Sequence, residues 1–313
     1  MQWITTVWQW FQPTTTTQET TDPESDTEEE QEEEGEDTTP ADNGGGDESE
    51  NDVQSDNENK TITPTKDRST SSNRRPLRHP FRLLMLGHSG SGKTITLYNL
   101  LTKPHYYGTF FDRVYAWGRS VEIDEIWCAI NDYYRKAHIY YRRYNRIDLE
   151  LIEKLVNEIE ENVKRGRRRR ILWVFDDIAG ETYKTRGGQT AIDEVINDIR
   201  HKEMSIIFSV QTLGMAAQSL IPQAEGTLMY PKCNLDERKE LRPKFSPDIS
   251  DDVRKETEAF FNLYKHATQK RHNFLFVNAQ GHTKKYYRNF HQRLFLPSML
   301  NNSTDQQEEQ QEE

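Results

Sequence analysis

Apolar residues along this chain fall into two spacings, and the two alternate. Short runs at 114–117 and 171–175, and at 81–86 and 205–210 where only Arg82, Ser205 and Ser209 interrupt, have the length and the branched or aromatic content of strands buried on both faces. Between them apolar positions recur every three or four residues. The sets are Leu97, Leu100 and Leu101; Ile152, Leu155, Val156, Ile159 and Val163; and Ile192, Val195, Ile196 and Ile199. That spacing puts each set on one face of a helix. Pro104 stops the first helix, and the second starts from Asp148 and ends at Gly166. From Trp117 to about Arg146 the chain is more polar and Tyr-rich, and no element is predicted there. Further strands fit 228–230 and 274–277, with a helix over roughly 251–266 between them. Strand alternating with helix predicts an α/β fold, a mainly parallel sheet flanked by helices on both faces. Ligands then belong at the C-terminal ends of the strands.

Chemistry gathers at those ends. Gly87-His88-Ser89-Gly90-Ser91-Gly92-Lys93-Thr94 follows the first run and spells the phosphate-binding P-loop, or Walker A, pattern G-x-x-x-x-G-K-[ST]. The glycines let backbone N–H groups curl around phosphates, and the helix that follows points its positive dipole end at them. Lys93 is expected to reach the β- and γ-phosphates of ATP and Thr94 to offer its hydroxyl to Mg²⁺. The run 171–175 delivers Asp176 and Asp177 at its end, as a Walker B strand does. Asp176 would hold the Mg²⁺ shell, and Asp177, pointing differently, would orient or deprotonate the attacking water. Gln211 stands where the run 205–210 stops and could sense the γ-phosphate through that water.

Charge divides the chain into three parts. Residues 1–77 hold 20 acidic against 5 basic side chains, residues 78–300 carry a net charge of +9, and residues 301–313 carry -5, within a total of -11. Residues 14–77 are rich in Thr, Ser, Glu, Asp, Asn and Gly, and too poor in apolar residues to offset ordering entropy. The region 1–77 is therefore read as a disordered acidic segment, headed by a short aromatic stretch with Trp3, Trp8, Trp10 and Phe11 that could dock to a partner. Residues 78–300 make one ATPase domain, and 301–313 a disordered acidic tail. Cys128 and Cys233 lack metal-ligand spacing, which points to a reducing compartment. No stretch approaches the length of a membrane span, so no membrane partner is expected.

The segments GHSGSGKT, ILWVFDD and IRHKEMSIIFSVQT resemble the poxvirus-type genome-packaging ATPases, in the FtsK–HerA branch of P-loop ATPases, over roughly residues 80–295. The resemblance implies an ATP-hydrolysing, Mg²⁺-dependent DNA translocase that packages a viral genome into its capsid. It implies a homo-oligomeric ring, double-stranded DNA gripped without sequence specificity, and capsid proteins as partners. The expected location is the host cell, at the nucleus or a cytoplasmic assembly site, and the virion. Arg200, in the Arg200-His201 pair before the Gln211 strand, is by resemblance a candidate arginine finger for a neighbouring subunit; its plain alternative is a helix-end cation. Many P-loop ATPases have Glu where this chain has the shorter Asp177. The alternatives are a cellular-type FtsK–HerA translocase or helicase, and a nucleotide-dependent scaffold with vestigial hydrolysis. For DNA the candidates are Lys164, Arg165 and Arg167 to Arg170, a run that would equally serve as a nuclear signal, and a loop at roughly 179–190 with Lys184, Arg186, Gly187 and Gly188.

Overall fold

The computed structural model describes residues 63–66, 75–178, 186–216 and 219–296, with backbone alone for 63–66 and 186–191. In chain order the elements are β1 (Thr63–Lys66), β2 (Arg82–Leu86), α1 (Lys93–Thr102), β3 (Arg113–Trp117), α2 (Glu125–Lys136), β4 (Tyr140–Tyr144), α3 (Leu149–Lys164) and β5 (Ile171–Asp176). Then follow α4 (Arg186–Asp198), β6 (Met204–Val210), a short 3₁₀ turn, the single turn α5 (Leu220–Gln223), β7 (Gly226–Met229), α6 (Leu235–Phe245), α7 (Val253–Ala267), β8 (Leu275–Asn278), β9 (Lys285–Arg288) and β10 (Gln292–Phe295).

The ten strands form one sheet in the order β1-β10-β9-β8-β7-β2-β6-β5-β3-β4. From β7 across to β4 every neighbour is parallel; from β7 across to β1 every neighbour is antiparallel. The parallel part needs helical crossovers, and these cover both faces. In β2, Leu83 and Met85 join the core beneath α1 and α2, while Leu84 and Leu86 join the core beneath α3, α4, α6 and α7. This two-sided burial explains why the central strands are continuous apolar runs rather than alternating ones.

Three parts of the architecture escaped the periodicity. The Tyr-rich passage holds α2 and β4. Asp124 caps α2 by accepting from the backbone N–H of Ile126 at 2.9 Å and of Trp127 at 3.3 Å, and Trp127, Ile130 and Tyr134 are its buried residues. Ile126, Trp127, Ile130, Tyr133 and Tyr134 do recur at helical spacing, but two of the five are tyrosines in a polar passage, so the stripe reads as polar. Helix α6 is mostly polar and is set by a capping box, with Asn234 accepting from the Glu237 N–H at 2.8 Å and Glu237 accepting in return from the Asn234 N–H at 3.1 Å. β8 answers to the strand expected at 274–277, but β9 and β10, which continue the meander through turns at Gly281 (φ 92°) and Asn289 (φ 56°), are short strands with no long apolar run. At the N-terminal boundary, β1 lies inside the segment read as disordered and pairs with β10, and Leu77 is buried in the core. Residues 1–62, 67–74 and 297–313, with the aromatic start and the acidic tail, lie outside the described residues. Cys128 and Cys233 are free thiols.

Candidate active site

Strand β6 ties the site together. Its end pairs with β2, so the N–H of Gly87 donates to the carbonyl of Val210 at 3.1 Å, and with β5, so the N–H of Asp177 donates to the carbonyl of Ser209 at 2.8 Å. The P-loop, the Asp176-Asp177 pair and Gln211 therefore share one end of the sheet, where parallel strands leave their last backbone groups open to a ligand.

The P-loop curls as its glycines permit. Gly90 (φ 70°) and Gly92 (φ 103°) take left-handed conformations that a side chain resists, and Gly92 caps α1. Gly87 is required by crowding: a Cβ there would lie 2.6 Å from Cβ of Tyr230 and 2.8 Å from Oγ of Ser91. His88, Ser89 and Gly90 are exposed, so the loop opens to solvent. Lys93 is buried, and its ammonium donates to the carbonyl of Gly87 and, at 3.1 Å, to that of His88. Burial pulls its pKa below the ordinary lysine range, against the pull of Asp177 and Asp176.

Asp176 is also buried, and burial raises its pKa, opposed by a hydrogen bond from Trp127, whose Nε1–H donates to Oδ2 at 3.0 Å. Asp177 sits at φ 53°, a left-handed position that Asp tolerates and that breaks the alternation of β5. Its Oδ2 accepts from the side-chain amide of Gln211, while its Oδ1 is buried without a partner among the described residues, as is Oγ of Ser91. Buried polar atoms without partners are costly, and their presence in a loop open to solvent fits a site completed by a polar ligand.

The residues fit a triphosphate and a divalent cation. Among the described residues no group of three or more His, Cys, Asp and Glu side chains could hold a metal alone. A Mg²⁺ here would take the Thr94 hydroxyl and Asp176 together with phosphate oxygens and water, the usual way this ion is bound.

Not every expected residue joins the site. Arg200 precedes β6, at the opposite end of the sheet, is exposed, and contacts Glu225 at 3.4 Å. The basic run precedes β5 at that same end. Arg165 pairs with Glu161 at 3.1 Å, Arg168 with Glu203 at 3.0 Å and Arg170 with Asp112 at 3.1 Å. Lys184 lies outside the described residues, and Arg186, Gly187 and Gly188 fall in α4, described by backbone alone. Trp127, in contrast, belongs to the site and was missed, because a lone Trp in a polar passage gives no hint of the carboxylate it meets across 49 residues.

The family model described as Poxvirus A32 protein matches residues 70–219. No curated protein matches the chain. Among solved structures, the genome packaging NTPase B204 from Sulfolobus turreted icosahedral virus 2, in complex with ATP-gammaS, is 18% identical over 68% of this chain and 100% of that one, with a TM-score of 0.45. The DNA-packaging ATPase B204 from Sulfolobus turreted icosahedral virus shows 18% identity, 68% and 100% coverage and a TM-score of 0.48. EssC (ATPases 2 and 3) from Geobacillus thermodenitrificans shows 13% identity over 70% of this chain and 40% of that one, with a TM-score of 0.44. The P-loop, Asp176, Asp177 and Gln211 all lie inside residues 70–219, the region similar to the Poxvirus A32 protein family.

Proposed function

We propose that the protein hydrolyses ATP to drive double-stranded DNA into a viral capsid. The carrying observation is the junction of the P-loop with Asp176, Asp177 and Gln211 on adjacent strand ends, inside the Poxvirus A32 match. In this reading Lys93 exchanges the two loop carbonyls for β- and γ-phosphate oxygens. Thr94 and Asp176 would hold a Mg²⁺, which when bound would neutralise charge on the phosphates. Asp177 orients a water molecule and takes its proton as the water oxygen bonds to the γ-phosphorus and the bond to the ADP oxygen breaks. Gln211, bonded to Asp177, sets where that carboxylate points. Measuring ATPase activity with and without DNA, then filling of capsids by wild-type and Lys93→Ala protein, tests the reading. DNA-independent activity together with capsid filling by Lys93→Ala would sink it.

Ring assembly extends this reading. Arg200 stands at the far end of the sheet from its own P-loop, so as an arginine finger it can serve only a neighbouring subunit. Mixing inactive Arg200→Ala with inactive Lys93→Ala subunits should then restore part of the activity. Mixed rings that stay inactive would return Arg200 to its contact with Glu225. The DNA grip is to the backbone, without base reading, so affinity should fall steeply with salt. The acidic N-terminal region, the capsid contact and residence at the host assembly site and in the virion belong to the same proposal.

A further inference from the structure

The α7–β8 loop comes back to the P-loop from 181 residues away: His272 Nδ1 donates to the carbonyl of Ser91 at 3.2 Å. The ring also packs on Gly92, where a Cβ would stand 3.3 Å from that nitrogen. His272 holds a left-handed backbone (φ 70°) to do so. The loop is held firmly. The N–H of Asn273 donates to the carbonyl of Lys270 at 3.1 Å, the N–H of Phe274 donates to Oδ1 of Asn289 at 3.2 Å, and the Phe274 ring lies against Tyr230. A second loop meets the P-loop beside it, with His88 Nε2 donating to the carbonyl of Lys232 at 2.7 Å. Tyr264 braces that second loop, accepting from the Cys233 N–H at 3.0 Å and donating to the carbonyl of Tyr230 at 2.8 Å.

These two loops carry Lys232, Lys270 and Arg271, all exposed. None of the three has an ion pair among the described residues, although most arginines at the other end of the sheet do. Exposed cations without ion pairs beside a phosphate cradle are available to an anion and raise its local concentration.

We propose that Lys270-Arg271-His272 is a second wall of the nucleotide site, in which Arg271 and Lys270 bind the triphosphate of the same subunit and His272 holds the P-loop turn. The proposal rests on the ATPase reading and adds to it a cation source in the subunit's own chain, separate from Arg200. ATPγS and AMP affinities, measured by calorimetry on the full-length protein at two salt concentrations, test it. The double variant Lys270→Gln with Arg271→Gln should bind ATPγS about tenfold or more weakly, because charge-assisted contacts are lost. Its ATPγS affinity should also be less sensitive to salt, its AMP affinity nearly unchanged and its melting temperature unchanged, since both side chains are exposed. Unchanged ATPγS affinity in the folded variant overturns the proposal. So does a loss confined to DNA affinity, which would make the loop a DNA contact. If Lys93→Ala also leaves ATPγS binding intact, the ATPase reading itself is what has failed.

Discussion

The two ends of the sheet treat charge in opposite ways. At the end where β2, β5 and β6 begin, cations meet anions of the same chain. Arg82 donates to Glu225 at 2.8 Å and to the carbonyl of Ile196 at 2.7 Å, Arg113 pairs with Glu158 at 2.7 Å, and Arg168 and Arg170 pair with Glu203 and Asp112. Among the described residues at the end where those strands finish, Lys93 donates to carbonyls of its own loop, Asp177 keeps a buried oxygen without a partner, and Lys232, Lys270 and Arg271 have no ion pair. Charge neutralised inside the chain serves the fold. Charge left open at a strand end is available to a ligand, and for buried Lys93 the carboxylates of Asp177 and Asp176 oppose only part of the cost of burial.

The sharpest way to break this contrast is at the open end. Asp177→Asn should retain ATPγS binding and lower turnover by about 10²–10⁴, the range of general-base catalysis. Lys93→Ala should instead lose nucleotide affinity. Single-turnover kinetics beside a binding isotherm separates the two, and parental turnover in Asp177→Asn would remove it as the base.

At the closed end the largest effect should be on stability. Arg82 and Glu225 are nearly buried, with 6% and 11% of their side chains exposed, so Arg82→Met leaves the Glu225 carboxylate with only the more distant, exposed Arg200 as a cation partner among the described residues. Denaturant unfolding should show a loss of about 3 kcal/mol or more. Should the folded fraction then bind ATPγS more weakly than wild type, the two ends are coupled and the contrast is too simple.

Trp127→Phe probes the join between fold and site. Removing the indole N–H leaves Oδ2 of Asp176 without its donor, worth about 1–3 kcal/mol by the usual cost of an unpaired buried acceptor. If Trp127 positions Asp176, the Mg²⁺ concentration for half-maximal ATPase activity should change. A purely structural Trp127 would lower the melting temperature and leave the Mg²⁺ dependence alone.

The smallest effect should come from the basic run. Arg168 is 63% exposed and Arg170 46%, so replacing both by Gln should cost about 1 kcal/mol or less. Their acidic partners also compete with DNA for them, so the salt dependence of DNA affinity should change less than when Arg167 and Arg169 are replaced. The reverse order would mean that DNA displaces Glu203 and Asp112.

What the sequence determined by itself is what lies close along the chain. Eight consecutive residues bend into the P-loop because Gly90 and Gly92 accept positive φ and α1 follows at once. The central strands, α3, α4 and α7 were legible because burial on one face or two writes a period of 3.6, or an unbroken run, into consecutive residues. Asp176, Asp177 and Gln211 were legible as the polar residues that stop such runs. Tertiary structure decided what depends on distant contacts. Helix α2 has a Tyr-containing stripe whose place in the site comes from Trp127 meeting Asp176, and β8, pairing antiparallel with β7, follows the α7–β8 loop that returns His272 to Ser91. The basic run is as dense in sequence as any nucleic-acid patch, yet Asp112, Glu161 and Glu203 occupy Arg170, Arg165 and Arg168. Local patterns are set by steric and hydrophobic rules acting between neighbours in sequence. Which charges remain open depends on strand order, and strand order pairs residues that no short stretch of sequence contains together.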